Sequence, residues 1–202
     1  MVIPRREVVY EWVDKWWPQH LCLELPSTID EYVAKVDKDV RTQCRKAQRE
    51  GYVARWTTAP DQTDIALVWD SWEGMVKNNR PINRTIAHCD DKVGAWTTRT
   101  CWPFSYYPHT QGYLDMVEVV DSDGLLMAYL EIATHGEHSV VWHTMCHQLA
   151  LKHGVSKLLF VEAARGLIER GVRYFHYLKP KYIKENPGHA AFALDLRFKA
   201  PV

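Results

Sequence analysis

Glu131 and His143 are the candidate bases of this chain. A histidine that titrates near neutral pH suits the removal of a proton from an ammonium group. On an alternating strand His143, Met145 and His147 share one face, and Trp142, Thr144 and Cys146 the other. A second kind of chemistry is offered by Lys38, Arg41, Arg45 and Arg49, which recur at steps of three and four with Lys46 beside them. Such a stripe either binds phosphate groups of a donor or acceptor or is a solvated helix face. A third lies between Lys77 and Pro108, where Arg80, Arg84 and Arg99 mix with Trp96, Trp102, Tyr106 and Tyr107. Cations among aromatics either stack bases and hold phosphates or pack as a lid. His135, His138, His143, Cys146, His147 and His153 crowd one region, but their spacing fits no zinc pattern. Residues four apart on an extended strand stand about 13 Å apart, so no metal is assigned to them.

These side chains need elements to position them. Thr28 with Glu31 three residues on forms a capping box. Ile29, Tyr32, Val33, Val36, Val40, Cys44 and Ala47 then recur at helical spacing, and Gly51 sits where a C-terminal cap belongs. The pattern predicts one helix from Ser27-Thr28 to Gly51, buried on one side and basic on the other. Tyr52 to Trp56 reads as a short strand, and Leu21 to Leu25 as a strand behind a short N-terminal helix. Residues 64–78 read as a second helix, with Ile65, Val68, Trp69, Trp72, Met75 and Val76 on one side. Three strands follow at 116–120, 125–134 and 139–145, joined by turns at Asp121-Ser122-Asp123-Gly124 and His135-Gly136-Glu137. A loop through Gly154 opens a helix capped by Ser156, whose apolar face carries Leu159, Phe160, Ala163, Ala164, Leu167 and Ile168. Gly171 closes it, and 172–178 is the next strand. This strand–helix–strand unit implies a right-handed crossover between two parallel neighbours.

The 202 residues are 47% apolar and include nine tryptophans and ten tyrosines, enough core for one domain over 1–202. Charges balance at 25 acidic and 25 basic residues, so no global field draws the chain to nucleic acid or membrane. A nucleic-acid role would need a local patch. No apolar run reaches the roughly 18 residues that span a bilayer, and Met1-Val2-Ile3-Pro4-Arg5-Arg6 has no apolar signal core behind it. The five cysteines form an odd set without a CxxC pair, which reads as reduced structural thiols in a cytoplasmic protein.

The run from Arg41 through Arg45-Lys46-Ala47 to Gly51 resembles a helix of the Fem group of aminoacyl and peptidyl transferases, where Arg, then Arg-Lys-Ala, then Gly precede a strand. Gly154-Val155-Ser156, Ala163-Ala164 and Gly171-Val172-Arg173-Tyr174-Phe175 are similar to that group's small-residue loop, helix and aromatic strand. Phe198-Lys199 is similar to the Phe-Lys near the end of its domains. With hairpins feeding a parallel β–α–β unit, the chain resembles a GNAT-superfamily acyltransferase domain of the Fem kind. The resemblance implies an α/β (α+β) fold, with a mixed, mostly antiparallel sheet and helices on both faces. Two parallel strands of that sheet splay apart to hold the acyl donor. Two departures bear on the donor. His176 stands where the Fem strand carries Asp, and the loop Gln148–Gly154 has one glycine where acetyl-CoA enzymes have a glycine-rich turn. That turn cradles pyrophosphate with backbone N–H groups at a helix N-terminus. The donor is left open between acyl-CoA and an aminoacyl-tRNA, with weak acetyl-CoA binding expected.

Acyl transfer to an amine requires that the amine lose a proton, the oxyanion be stabilised and the leaving group be protonated. The resemblance implies Lys199, the group's C-terminal lysine, as the cation facing the reacting carbonyl, beside His143 and Glu131 as bases. Backbone N–H groups of strand 139–145 would hold the donor's carbonyl. Arg41, Arg45, Lys46, Arg80, Arg84, Trp142, Ser156, Lys157 and Tyr177 form the candidate substrate- and phosphate-binding set. The implied partners are an activated acyl donor and an amine-bearing acceptor, with no membrane. The alternatives are a nucleic-acid-binding or base-modifying protein, metal-assisted through residues 135–153, and a catalytically silent interaction domain.

Overall fold

The computed structural model describes residues 20–57, 115–177 and 187–200. They form β1 (Leu21–Glu24), α1 (Ile29–Lys35), α2 (Lys38–Arg49), β2 (Val53–Thr57), β3 (Asp115–Val120), β4 (Leu126–His135) and β5 (His138–Cys146). A 3₁₀ segment (Gln148–His153), α3 (Val155–Glu169), β6 (Tyr174–Tyr177) and α4 (Pro187–Asp195) follow. The strands make one sheet in the order β1-β6-β5-β4-β3-β2. All pairs are antiparallel except β5 with β6, which are parallel as the crossover through α3 requires. The expected mixed, mostly antiparallel sheet is therefore found. The predicted helix 64–78, the N-terminal helix and the stretch holding Arg80 and Arg84 lie outside the described residues.

Register sorts the side chains, because residues directly opposed across strands share a face. Ala54, Val117, Val119, Ala128, Leu130, Ile132, Cys146, Phe175, Leu21 and Leu23 fall on one face. They join Val40, Cys44 and Ala47 of α2 and Leu159, Phe160, Ala163, Ala164 and Leu167 of α3 in one hydrophobic core. Phe160 is its hub, with ring centroids of Tyr177, Phe192, Phe175 and Phe198 at 4.7, 5.2, 6.2 and 6.2 Å. The four described helices pack on this face.

Three local expectations change. The single helix from Ser27-Thr28 to Gly51 is two, because Val36 is extended (φ −64°, ψ 159°) and Asp37 starts a new helix. Asp37 Oδ1 accepts from the Asp39 amide at 2.8 Å, and Asp37 N donates to the Asp195 carbonyl at 3.1 Å. Tyr32, Val36 and Val40 remain buried on both sides of the break. The helix after the loop is capped by Gly154, not Ser156. Gly154 sits at φ +80°, and a Cβ there would meet the Gln43 carbonyl oxygen at 2.6 Å, so both the turn and the contact with α2 demand glycine. Finally, α4 has no counterpart among the predicted elements; it opens on Pro187, and proline suits the first position of a helix.

Candidate active site

β5 pairs with β6 at three positions only, His138–Tyr174, Ser139–Phe175 and Val140–His176. Past them β5 runs on to Cys146 paired with β4 alone, and Tyr177 of β6 pairs only with Leu21 of β1. The parallel strands thus part at Val140. On the other side of β5 the register slips at the same level. Glu131 opposes His143 while Ile132 opposes Val141, which makes Trp142 the extra residue of a bulge. A bulge bends its strand and re-aims neighbouring side chains, and bulges recur beside active sites.

The bulge leaves Glu131 and His143 as a cross-strand pair on the face away from the core. Both are buried, at 3% and 8% exposure. The same face carries Met116, opposite Glu131, and the linked set Arg55, Glu118, Tyr129 and Met145. Arg55 Nε donates to Glu118 Oε1 at 2.6 Å, and the Tyr129 and His143 rings stand 5.5 Å apart. Burial pushes the His143 pKa from 6.5 down to about 3, so its imidazole is neutral at physiological pH. So weak a base draws a proton from an ammonium only against a steep free-energy difference, which shifts the base role toward Glu131.

One register step away, His176 opposes Val140 on one side and Cys22 on the other. His138 Nδ1 and His176 Nε2 are 3.1 Å apart, and His138 stacks on Tyr174 at 4.9 Å. Burial, then His138 and His20, lower the His176 pKa to about 3. Lys199 joins this row through the backbone. Its N–H donates to the Cys22 carbonyl at 2.9 Å, and its carbonyl accepts from the Cys22 N–H at 2.8 Å. The exposed Lys199 therefore lies on the sheet face of Cys22, His176, His143 and Glu131, about 10 Å from β6 at two strand spacings.

Other predicted residues are placed apart from this group. Arg41, Arg45 and Lys46 lie on α2, which packs on the opposite face of the sheet. Arg41 Nη1 donates to the carbonyls of Val33, Ala34 and Val36 at 3.2, 3.2 and 2.6 Å, closing the end of α1. Lys46 Nζ donates to the Lys152 carbonyl at 3.0 Å. Lys157 is held between Asp39 and Asp195 (3.2 Å to the latter). Partial burial pulls the Lys157 pKa down, but the hydrogen bonds to both carboxylates outweigh it and raise the pKa. Ser156 bonds Cys146, whose thiol burial pushes up to about 12. Tyr177 is buried in the aromatic core, and burial raises its pKa.

The histidine-rich stretch disperses in space. His143 faces Glu131, His138 meets His176, His147 caps the 3₁₀ segment, and His153 Nδ1 lies 2.5 Å from Glu50. Among the described residues no three His, Cys, Asp or Glu side chains converge on a metal position. The described cysteines, Cys22, Cys44 and Cys146, are free thiols. Sequence reasoning missed the bulge, the His138–His176 contact and Glu118. For Glu118 there was a signal, a carboxylate in the middle of the apolar strand Met116 to Val120.

Known proteins share this architecture. The fold is similar to that of FemX (TM-score 0.57, 8% identity, covering 87% of this chain and 57% of that one). It is similar to the C-terminal domain of a protein provisionally named a lysylphosphatidylglycerol synthetase from Agrobacterium fabrum (0.56, 14%, 89% and 56%). L-PGS from Bacillus licheniformis is a further neighbour (0.51, 14%, 78% and 43%). The chain thus spans about half the length of these proteins, and at such identities the likeness is one of fold. No curated protein sequence matches it. A family model described as an acetyltransferase (GNAT) domain matches residues 34–192. That match runs from α1 into α4 and takes in the parting strands, so the chain belongs to the GNAT acetyltransferase domain family.

Proposed function

We propose that this domain moves an acyl or aminoacyl group from an activated donor onto an amine at the mouth where β5 and β6 part. The observation that carries the reading is the parallel pairing that ends at Val140–His176 beside a buried Glu131–His143 pair. In this reading β5 backbone N–H groups beyond Val140, on the side β6 has left, take the donor's carbonyl oxygen. Glu131 accepts the proton of the incoming ammonium, and neutral His143 holds the carboxylate side of the site in place. Lys199 stabilises the oxyanion from the same face.

The first turn of α3 supports a donor other than a simple acetyl-CoA. Gly154 is committed to the contact with Gln43, and two carboxylates, Asp39 and Asp195, flank the turn through Lys157. Negative charge beside a helix N-terminus opposes a pyrophosphate there. An aminoacyl ester is the donor this arrangement favours.

The test is amide formation by mass spectrometry, with aminoacyl-tRNA and acyl-CoA donors offered separately to a panel of amines. Lys199→Ala should lower turnover by about 10²–10³-fold with little change in melting temperature, since the residue is exposed and bridges through its backbone. Absence of product from every donor, or a Lys199→Ala variant with wild-type turnover, would remove the reading or the role of Lys199 respectively.

A further inference from the structure

Along α2 the exposed Lys38, Thr42, Arg45 and Arg49 recur at steps of four, three and four, opposite the buried Val40, Cys44 and Ala47. At 1.5 Å per residue the row is about 16 Å long. It borders an open groove of about 580 Å³ lined, among the described residues, by Thr42, Arg45, Gln48 and Arg49. Elsewhere on the described chain some cations are paired with carboxylates and others, such as Lys35, Lys152 and Lys199, are not; what sets α2 apart is three such unpaired cations along one exposed helix face. Arg55 is matched by Glu118, Lys157 by Asp39 and Asp195, Arg165 by Glu162, Arg170 by Asp115 and Arg173 by Glu24. Among the described residues Lys38, Arg45 and Arg49 have no carboxylate partner. Of the acids nearest them in sequence, Asp39 pairs with Lys157 and Glu50 with His153, while Asp37 caps the helix through the Asp39 amide. On a chain of net charge +0 this is a local, unneutralised field.

We propose that this face of α2 docks the phosphodiester backbone of a nucleic-acid strand, at a surface separate from the transfer cleft. The groups lining it, guanidinium, hydroxyl and carboxamide, are those that contact phosphate oxygens. A compact pyrophosphate would occupy one turn of the helix, whereas a row of cations about 16 Å long matches a succession of phosphates. A membrane surface would need apolar side chains beside the cations, and the exposed row of α2 has none. The surface lies across the sheet from Glu131 and His143, so docking there adds a contact beyond the transferase reading.

Fluorescence anisotropy with short labelled RNA and DNA strands of one sequence, across a salt series, tests this. The wild type should bind at least one of them with a linear fall of log K against log salt. The triple variant K38Q/R45Q/R49Q should lose tenfold or more in affinity, and the magnitude of its salt slope should drop by about 2, at about 0.7 per lost phosphate contact on a single strand. Charge-retaining Arg45→Lys should keep most of the binding, and Arg165→Gln, on α3, all of it. Circular dichroism melts verify that the exposed substitutions leave the fold intact. The proposal is overturned if the wild type binds neither strand, if the triple variant keeps both affinity and slope, or if polyglutamate or anionic vesicles bind equally well. The titration reads binding without turnover, so failure of the transferase reading and failure of this one are distinguishable.

Discussion

The two faces of the sheet are made by the same six strands and follow different rules. Toward the helices, Val117, Leu130, Ile132 and Phe175 meet apolar partners, and burial needs no further explanation. On the other face Glu118, Glu131, His143 and His176 are as deeply buried, where a polar group is costly unless it is bonded. Glu118 answers that cost with Arg55, and His176 with His138. Alternation along each strand thus separates an apolar surface from one that also buries polar groups, and the bulge at Trp142 lies beside the Glu131–His143 pair of the latter.

Breaking the polar face should hurt chemistry most. Glu131→Gln keeps size and burial but removes the base, so turnover should fall by about 10²–10⁴-fold with the fold retained. Steady-state kinetics beside far-UV circular dichroism checks this, and near-normal turnover would dismiss Glu131 as the base. Breaking the apolar face should do the reverse. Phe160→Ala empties the hub of the aromatic cluster and should cost about 3–5 kcal/mol of stability, read from the denaturant midpoint. Turnover per folded molecule should stay within a few-fold, and a purely kinetic defect would deny the division between the faces.

The comparison is sharpened by pH. Folded His143 and His176 refuse a proton until near pH 3, whereas in the unfolded chain each binds one below about pH 6.5. Above pH 6.5 neither state binds these protons and they add no pH dependence, and stability falls as pH drops below it, by about 2 kcal/mol per histidine at pH 5. Melting temperature measured from pH 7 to 5 should decline, and His143→Gln or His176→Gln should flatten the decline. The apolar-face variant Phe160→Ala should leave its slope unchanged.

Much of the fold was legible because its signals are local. The hairpin turn at Asp121–Gly124 forms as expected, with Asp121 Oδ1 accepting from the amides of Asp123 and Leu125 at 2.9 Å each. The helical stripe of α3 and the β5–α3–β6 unit were readable from spacing, and parallel pairing followed from handedness. Less of the site was legible. Glu131 and His143 stood out by type, but their opposition depends on a one-residue slip in β5 that no periodicity signals. Arg41 and Lys157 looked like phosphate ligands, and their partners, the carbonyls of α1 and the pair Asp39 and Asp195, are set by packing between distant segments.

The sequence by itself determined most of the strands, the buried stripes of α2 and α3 and the order that yields a mixed sheet. Hydrophobic period and turn chemistry act over a few residues and are written in consecutive positions. Tertiary structure alone decided which charges are spent and which are left over. Lys157 finds its carboxylates on α2 and at the end of α4, while Lys38, Arg45 and Arg49 find none among the described residues. It also decided that Lys199 shares a face with His176, through a backbone bridge to Cys22 at the other end of the chain. Both outcomes depend on strand register and helix docking, which compare distant parts of the chain and so exist only once it has folded.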